Sequence, residues 1–305
     1  MKATEKVMYN GELAAWEEAK VHVLAHALHY GTGVFESCRC YDTCEGPAVF
    51  RLKDHMRRLV KSGAAYNMEL PYTVDELCAQ VIETIRANNL RECYVRTIAF
   101  FGYRELGVCP LGNPVDVSHA VWEWGAYLGE DGMEKGVKAT ISTWRRIDPS
   151  TMPPTAKATA NYANASLAKV EAVRRGFDEA IMLNTKGSVA EGSGENLFTV
   201  KDEVLKTTSE DSGALPGITQ DTVRKIASDI GYEVKEGEIT VEELKDADEA
   251  FFTGTAAEVT PIRQIDDREY GGRGQVTERI QSKYLSIVRG EERGYDDWLT
   301  PARPA

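Results

Sequence analysis

Pro153-Pro154-Thr155-Ala156-Lys157-Ala158-Thr159-Ala160-Asn161-Tyr162 is the stretch from which the rest of the chain can be read. Lys157 stands among small residues with no charge beside it. The prolines before it restrict its backbone, and a helix predicted over residues 161–175 follows it. An amine in such surroundings can be desolvated, which lowers its pKa and makes it nucleophilic. Alone, a lysine is more often a solvated surface residue, so the reading depends on the company Lys157 keeps.

Upstream, strand and helix signals alternate. Residues 34–41 and 48–51 read as strands, and 54–66 as a helix with Met56, Leu59 and Val60 on one face. Residues 73–88 carry Val74, Leu77, Cys78, Val81, Ile82 and Ile85 three and four apart, a helical period, with Thr73 as N-cap. Strands are predicted over 94–101 and 118–124. A glycine-rich run from Gly125 to Gly136 reads as a linker. Downstream come a strand at 138–143 and another at 180–184, the latter closed by the hairpin turn Thr185-Lys186-Gly187-Ser188. Residues 219–230, with Val223, Ile226, Ala227 and Ile230 on one face, and 276–288 read as helices. The pattern predicts a mixed fold, α/β followed by a strand-rich α+β part. It divides into a small N-terminal α/β domain (1–125), an interdomain linker (126–136) and a larger C-terminal domain (137–305).

The 305 residues are 42% hydrophobic and 28% charged, enough chain to bury a core without a metal or disulfide. The net charge of -12 argues against nucleic-acid or anionic-membrane partners but not against a small anion in a local basic pocket. The N-terminus lacks an apolar signal segment, and no run approaches the ~20 apolar residues of a membrane span. The six cysteines form no C-x-x-C pair and end at Cys109, which suits reduced thiols and a cytoplasmic setting. His22, His26 and His29 have the i, i+4, i+7 spacing of one helical face. They lack a fourth ligand or supporting acid, and Cys38, Cys40 and Cys44 lack zinc spacing, so no metal is expected.

Three further segments carry chemistry. Val189-Ala190-Glu191-Gly192-Ser193-Gly194-Glu195-Asn196-Leu197-Phe198 sets two glutamates around a Gly-Ser-Gly turn; it is not a G-x-G-x-x-G fingerprint. Leu215-Pro216-Gly217-Ile218-Thr219 leads into a helix that Thr219 can cap, and the free N–H groups of a first turn attract phosphate. Phe252-Thr253-Gly254-Thr255-Ala256-Ala257-Glu258 suits a backbone anion cup after a strand. Each alone is equally an ordinary turn.

Together these segments resemble the fold-type IV enzymes of pyridoxal 5'-phosphate (PLP), and most closely the branched-chain amino acid aminotransferases. The matching text covers nearly the whole chain. It includes His26-Ala27-Leu28-His29-Tyr30-Gly31-Thr32, Val34-Phe35-Glu36, His55-Met56-Arg57-Arg58-Leu59, Tyr94-Val95-Arg96 and Trp124-Gly125-Ala126-Tyr127-Leu128-Gly129. The segments around Lys157, Glu191, Gly217 and Thr255 complete it, in an order and spacing more specific than any single piece.

The resemblance implies a two-domain fold-type IV architecture and a role for each matching residue. Lys157 is the catalytic residue, holding PLP as a Schiff base and moving the proton of the substrate Cα. Glu191 pairs with the ring nitrogen and keeps it protonated, Tyr162 meets the ring oxygen, and Leu215 packs on the ring. Arg58, with Ile218, Thr219 and Thr255, serves the phosphate, and Gly217 and Gly254 also bind the cofactor. Tyr30, Phe35, Val108, Trp124, Tyr127 and Tyr162 form the wall for an apolar side chain. Tyr94 and Arg96 take an acceptor's distal carboxylate, and Thr255 and Ala256 take the α-carboxylate. The expected reaction is transamination between L-leucine, L-isoleucine or L-valine and 2-oxoglutarate, giving branched-chain 2-oxo acids and L-glutamate, in branched-chain amino acid biosynthesis. Alternatives on the same fold are a D-amino acid or (R)-amine transaminase and a PLP lyase. Tyr30 and Val108 are expected to come from a partner subunit, which implies a homodimer or an assembly of dimers. The chain departs from the family's usual glycine at Ser37 and at Thr159, and it places Cys109 in a loop expected to join the domains near the substrate.

Overall fold

The computed structural model describes residues 2–125 and 128–302. Its contacts divide the chain into two compact units. The first comprises residues 1–124, 156–160 and 286–305, and the second 125–155 and 161–285. This division differs from the expected second domain of 137–305 in two places. Residues 156–160 return to the first unit because Ala158 bridges Val34 there. The tail returns because its strand Leu299–Pro301 pairs with Phe50, Val49 and Ala48. The expected linker is also not bare loop: Glu130–Lys135 is helical.

In the first unit, strands β1 (Lys6–Tyr9) and β2 (Glu12–Ala15) precede helix α1 (His26–Tyr30), β3 (Gly33–Thr43) and β4 (Gly46–Phe50). Helices α2 (Leu52–Ala65) and α3 (Val74–Ala87) follow, then β5 (Cys93–Phe101) and β6 (Val115–Trp122). Among the described residues the sheet has seven strands, ordered tail strand, β4, β3, β5, β6, β1, β2. Thr73 caps α3 as its sequence predicts: its hydroxyl accepts the Glu76 N–H, and the Glu76 carboxylate accepts the Thr73 N–H at 2.7 Å. Alternation along β3 sends Val34, Cys38 and Cys40 into a core with Leu52, Met56 and Leu59 of α2 and Leu77, Val81 and Ile85 of α3. The helix that would align the three histidines is shorter than their spacing needs: α1 begins at His26, so His22 lies outside it. His26 instead bonds Thr32 Oγ1 and the Gly107 carbonyl, both at 2.8 Å. Cys109, expected in a loop joining the domains, sits exposed in the β5–β6 loop of this unit.

His119 on β6 is fully buried on the helix-covered face. It accepts a hydrogen bond from the Thr97 hydroxyl at 2.8 Å through Nδ1, and its Nε2 meets Gln80 Oε1 of α3 at 3.1 Å. Burial pulls its pKa down to about 3, so the folded protein holds it neutral. The unfolded chain binds that proton near pH 6.5, so between these values acid favours unfolding. The stability gap between wild type and His119→Gln in urea titrations therefore shrinks by about 1–2 kcal/mol from pH 7 to pH 5. A gap unchanged over that range contradicts the assignment.

In the second unit α4 (Glu130–Lys135) precedes β7 (Val137–Ile141), α5 (Thr159–Arg174, entering this unit at Asn161) and β8 (Glu179–Leu183). Then come β9 (Val189–Gly192), β10 (Asn196–Lys201), β11 (Val204–Thr207), α6 (Ile218–Asp229) and β12 (Val234–Glu236). Helix α7 (Val241–Asp246), β13 (Glu249–Gly254), β14 (Glu258–Ile265), β15 (Arg268–Glu269) and α8 (Gln275–Val288) follow. The sheet order is β12, β11, β10, β13, β14, β7, β8, β9, with β15 on β14. β7 and β8 are parallel, which requires a crossover of the length that α5 supplies. β8 and β9 form the predicted hairpin, tied by two 3.0 Å bonds from the N–H groups of Lys186 and Ser188 to Asn184 Oδ1. Among the described residues no helix is long and apolar enough to cross a membrane.

Candidate active site

Each unit carries one set of the expected site residues. In the first, β3 and β5 are antiparallel with Glu36 opposite Thr97, Ser37 opposite Arg96 and Arg39 opposite Tyr94. Period-two alternation puts Glu36 on the helix-covered face and Phe35, Ser37, Tyr94 and Arg96 on the other.

On the covered face Glu36 is fully buried. His55 and Arg58 of α2, three residues apart and so on one side of the helix, both reach it. Arg58 donates from Nε at 2.5 Å and from Nη2 at 3.0 Å, and His55 Nδ1 lies at 2.7 Å. Burial alone raises the Glu36 pKa, but the Arg58 charge and the His55 bond outweigh it and hold the carboxyl well below the usual range. Burial also lowers the His55 pKa, with Glu36 opposing. A carboxylate only accepts, so Nδ1 carries the proton of a neutral imidazole that donates to Glu36. Arg58 thus has two nitrogens fixed by an ionised partner.

Lys157 is clamped through its backbone. Its N–H donates to Ser62 Oγ of α2 at 3.0 Å, and its carbonyl accepts the Phe35 N–H at 2.9 Å. Thr159, the second departure from the family pattern, ties the same turn by donating to the carbonyls of Gly31 and Gly33 at 2.8 and 3.1 Å. Lys157 Nζ lies 5.0 Å from the centre of the Phe35 ring. Arg96 lies over the same ring at 4.9 Å and over Tyr94 at 5.8 Å. Tyr94 in turn packs edge-on against Trp124 at 4.5 Å. The structure therefore brings Lys157, Phe35, Tyr94, Arg96 and Trp124 together at this unit's sheet. Tyr30 and Val108 are exposed in the single chain. Tyr127 falls outside the described residues.

In the second unit Glu191 on β9 is buried and held on both oxygens. Arg146 Nε lies 2.7 Å from Oε1, and Oε2 accepts the Leu215 N–H at 2.9 Å and Asn196 Nδ2 at 3.4 Å. The carboxylate thus faces one cation and two N–H donors. Asn196 also donates to the Leu215 carbonyl at 2.8 Å, so the turn before α6 is fixed to β10. Here one expectation is corrected. The N-cap of α6 is Gly217, and Thr219 lies within its first turn. The reason is space: a Cβ at 217 would meet Asn196 Oδ1 at 1.8 Å, so only glycine fits. The first-turn N–H groups at Ile218 and Thr219 remain available as the helix-start physics requires. Tyr162 lies in the first turn of α5. Gly254 ends β13, and Thr255 and Ala256 form the turn to β14, closed by the Thr260 hydroxyl on the Ala257 carbonyl at 2.5 Å.

Behind the Gly-Ser-Gly turn lies a second acid cluster. Glu179, fully buried, pairs with Lys169 at 2.6 Å and accepts the Ser193 hydroxyl at 2.6 Å. Glu195 has its pKa pushed up to about 8 by burial and by the Glu179 charge. The two glutamates of the motif are therefore unlike: Glu191 faces a cation, while Glu195 is buried beside another acid and accepts the Gly194 N–H at 3.0 Å. Sequence reasoning missed His55, Ser62, Arg146 and Asn196 as site residues, and quoted Glu36 without a role.

Residues 33–265 match the family model described as amino-transferase class IV. The chain belongs to the class IV aminotransferases. This class IV aminotransferase is 46% identical over 303 residues to the branched-chain-amino-acid aminotransferase of Salmonella typhimurium, covering 98% of both chains. Its fold superposes on the Escherichia coli branched-chain amino acid aminotransferase with a TM-score of 0.96 at 45% identity, over 98% of this chain and 100% of that one. A T.th. branched-chain amino acid aminotransferase complexed with N-(5'-phosphopyridoxyl)-L-glutamate superposes with a TM-score of 0.94 at 47% identity, covering 98% and 99%.

Among its described residues no group of three His, Cys, Asp or Glu is placed to hold a metal. The donor chemistry does fit a phosphorylated pyridine aldehyde. Arg58 is a fixed cation and the start of α6 a set of N–H donors, both suited to phosphate. Glu191 is a carboxylate with the Arg146 guanidinium 2.7 Å away, suited to a protonated ring nitrogen.

Proposed function

We propose that the chain transfers the amino group of L-leucine, L-isoleucine or L-valine to 2-oxoglutarate, using PLP. The observation that carries the substrate reading is Arg96. It is a guanidinium laid on the aromatic wall of Phe35 and Tyr94, with no carboxylate within ion-pair distance among the described residues. An apolar wall takes a branched side chain, and one unneutralised cation at its edge takes the second carboxylate of the acceptor. The relatives' names and the phosphopyridoxyl-glutamate complex support both halves of that reading.

The residues that serve PLP are Lys157, Arg58, Tyr162, Glu191, Leu215, Gly217, Ile218, Thr219, Gly254 and Thr255. When bound, PLP supplies an electrophilic carbon and a ring that draws electrons from the substrate Cα. The chain supplies the proton traffic and the fixed charges. Lys157 Nζ would hold the cofactor, and its free amine would take the proton from the substrate Cα. Glu191, with the Arg146 guanidinium beside it, would keep a proton on the ring nitrogen. Tyr162 donates to the ring oxygen, and the N–H groups of Thr255 and Ala256 orient the α-carboxylate. Tyr30, Val108, Trp124 and Tyr127 complete the wall. Tyr30 and Val108, exposed on one chain, are contributed by the partner in a homodimer or an assembly of dimers. The acidic charge and free thiols support a cytoplasmic setting.

The test uses the PLP-loaded protein without any 2-oxo acid. L-Leucine is expected to discharge the yellow colour of the lysine-bound cofactor, while D-alanine and (R)-amines leave it. Discharge by the D- or (R)-compounds alone overturns the reading, as does a protein that takes up no coloured cofactor.

A further inference from the structure

We infer that Ser37 is a positioning residue that decides which edge of the Arg96 guanidinium meets the distal carboxylate of an acidic substrate. The inference deepens the reading above and rests on it. Ser37 and Arg96 are direct partners across β3 and β5, so their side chains leave the same face of the sheet. The Ser37 hydroxyl accepts the Arg96 Nε–H at 2.8 Å, and Ser37 itself is only 4% exposed. Arg96 is half-buried, and among the described residues its other partners are the two rings beneath it.

A guanidinium can grip a carboxylate side-on through Nε and one Nη, or end-on through both Nη groups. Ser37 occupies Nε and so removes the side-on mode. What remains is the end-on fork at the tip of the side chain, the part farthest from β5. The acidic acceptor is then met at that tip, and a branched apolar side chain meets the wall beside the latched cation. One wall thereby serves both substrate classes without the cation swinging across it. The glycine that the resemblance leads one to expect at this position has no hydroxyl and cannot latch Nε. The latch is a property of this chain.

The full-length holoenzyme tests this with Ser37→Ala, Ser37→Thr and Arg96→Gln. Two readouts apply: equilibrium binding of glutarate against 4-methylvalerate by calorimetry, and single-turnover kcat/KM for L-glutamate against L-leucine. Loss of one hydrogen bond to a charged group corresponds to roughly 10–150-fold. Ser37→Ala is expected to weaken glutarate and lower glutamate kcat/KM by that factor, through KM. The values for 4-methylvalerate and leucine move by less than about twofold, and Ser37→Thr, which keeps the hydroxyl, restores glutarate binding. Equal losses for both ligand classes, or unchanged glutarate binding in Ser37→Ala, overturn the inference. Arg96→Gln separates the two levels. If it collapses the glutarate preference while Ser37→Ala does not, only the latch fails. If it leaves the preference intact, the carboxylate role of Arg96 fails and the latch with it.

Discussion

Lys157→Ala abolishes transamination: turnover of L-leucine with 2-oxoglutarate falls by about 10⁴-fold or more. Positioned proton transfer alone is worth roughly 10²–10⁴-fold, and the variant also loses the amine that holds the cofactor. Three contacts that place residue 157 are made by backbone: its N–H to Ser62 Oγ, its carbonyl to the Phe35 N–H, and the bridge from Ala158 to Val34, and alanine keeps all three. The thermal midpoint is therefore expected within about 1.5 °C of wild type, a shift of about 1 kcal/mol or less for a chain of this size. Because Arg58, Glu191 and the start of α6 remain, the variant still takes up PLP, but without the yellow lysine-bound form, and it loses the cofactor faster on dialysis. Turnover above about 1% of wild type, less than the 10²-fold floor for a lost general base, rules out the assignment.

The elements that carry these groups were legible wherever one local pattern specified them. The β3 alternation from Val34 to Cys40 and the three-and-four spacing of α3 with its Thr73 cap each state their own period. Lys157 was legible only through its resemblance, since no local pattern distinguishes it from a surface lysine. What stayed hidden depends on pairings between distant segments. Arg145 and Arg146 are neighbours in a loop without period; Arg145 is exposed and Arg146 buried against Glu191, and nothing in the two letters says which. Glu36 was visible as an acid inside an apolar strand, a signal that a buried cation must face it. Its partners His55 and Arg58 shared a helix face three residues apart, but the register of α2 on β3 that joins them is tertiary. The misplaced cap of α6 has the same origin: Thr219 has the better capping side chain, and the close approach of Asn196 reserves position 217 for glycine. The tail strand was missed because three residues ending in Pro301 show no strand period, and proline is tolerated there only because the strand lies at the sheet edge.

Glu36→Gln is expected to cost about 3–5 kcal/mol of stability at pH 7, the usual penalty for removing one member of a buried ion pair. Glutamine keeps the shape and one acceptor oxygen, so the loss is one of charge and not of packing. Arg58 then sits beside a neutral amide with its own side chain only 12% exposed, and His55 loses the carboxylate that orders its tautomer. The pH dependence has a definite sign. The folded pKa of Glu36 lies well below its unfolded value near 4.5, so its contribution is complete above that value and is lost as acid protonates it. The gap between wild type and variant in urea titrations should hold from pH 8 to pH 6 and close as the pH falls below about 4.5. The cofactor gives a second readout. Arg58 unlatched from Glu36 samples more rotamers, so PLP affinity, measured by the approach of the apoenzyme to the coloured form, should fall about tenfold or more, the scale of one charge-assisted hydrogen bond. A variant with a stability loss under about 1 kcal/mol would place the pair in the class of solvent-screened bridges. Glu36 would then be an anchor for α2 alone, and Arg58 would find the phosphate without it.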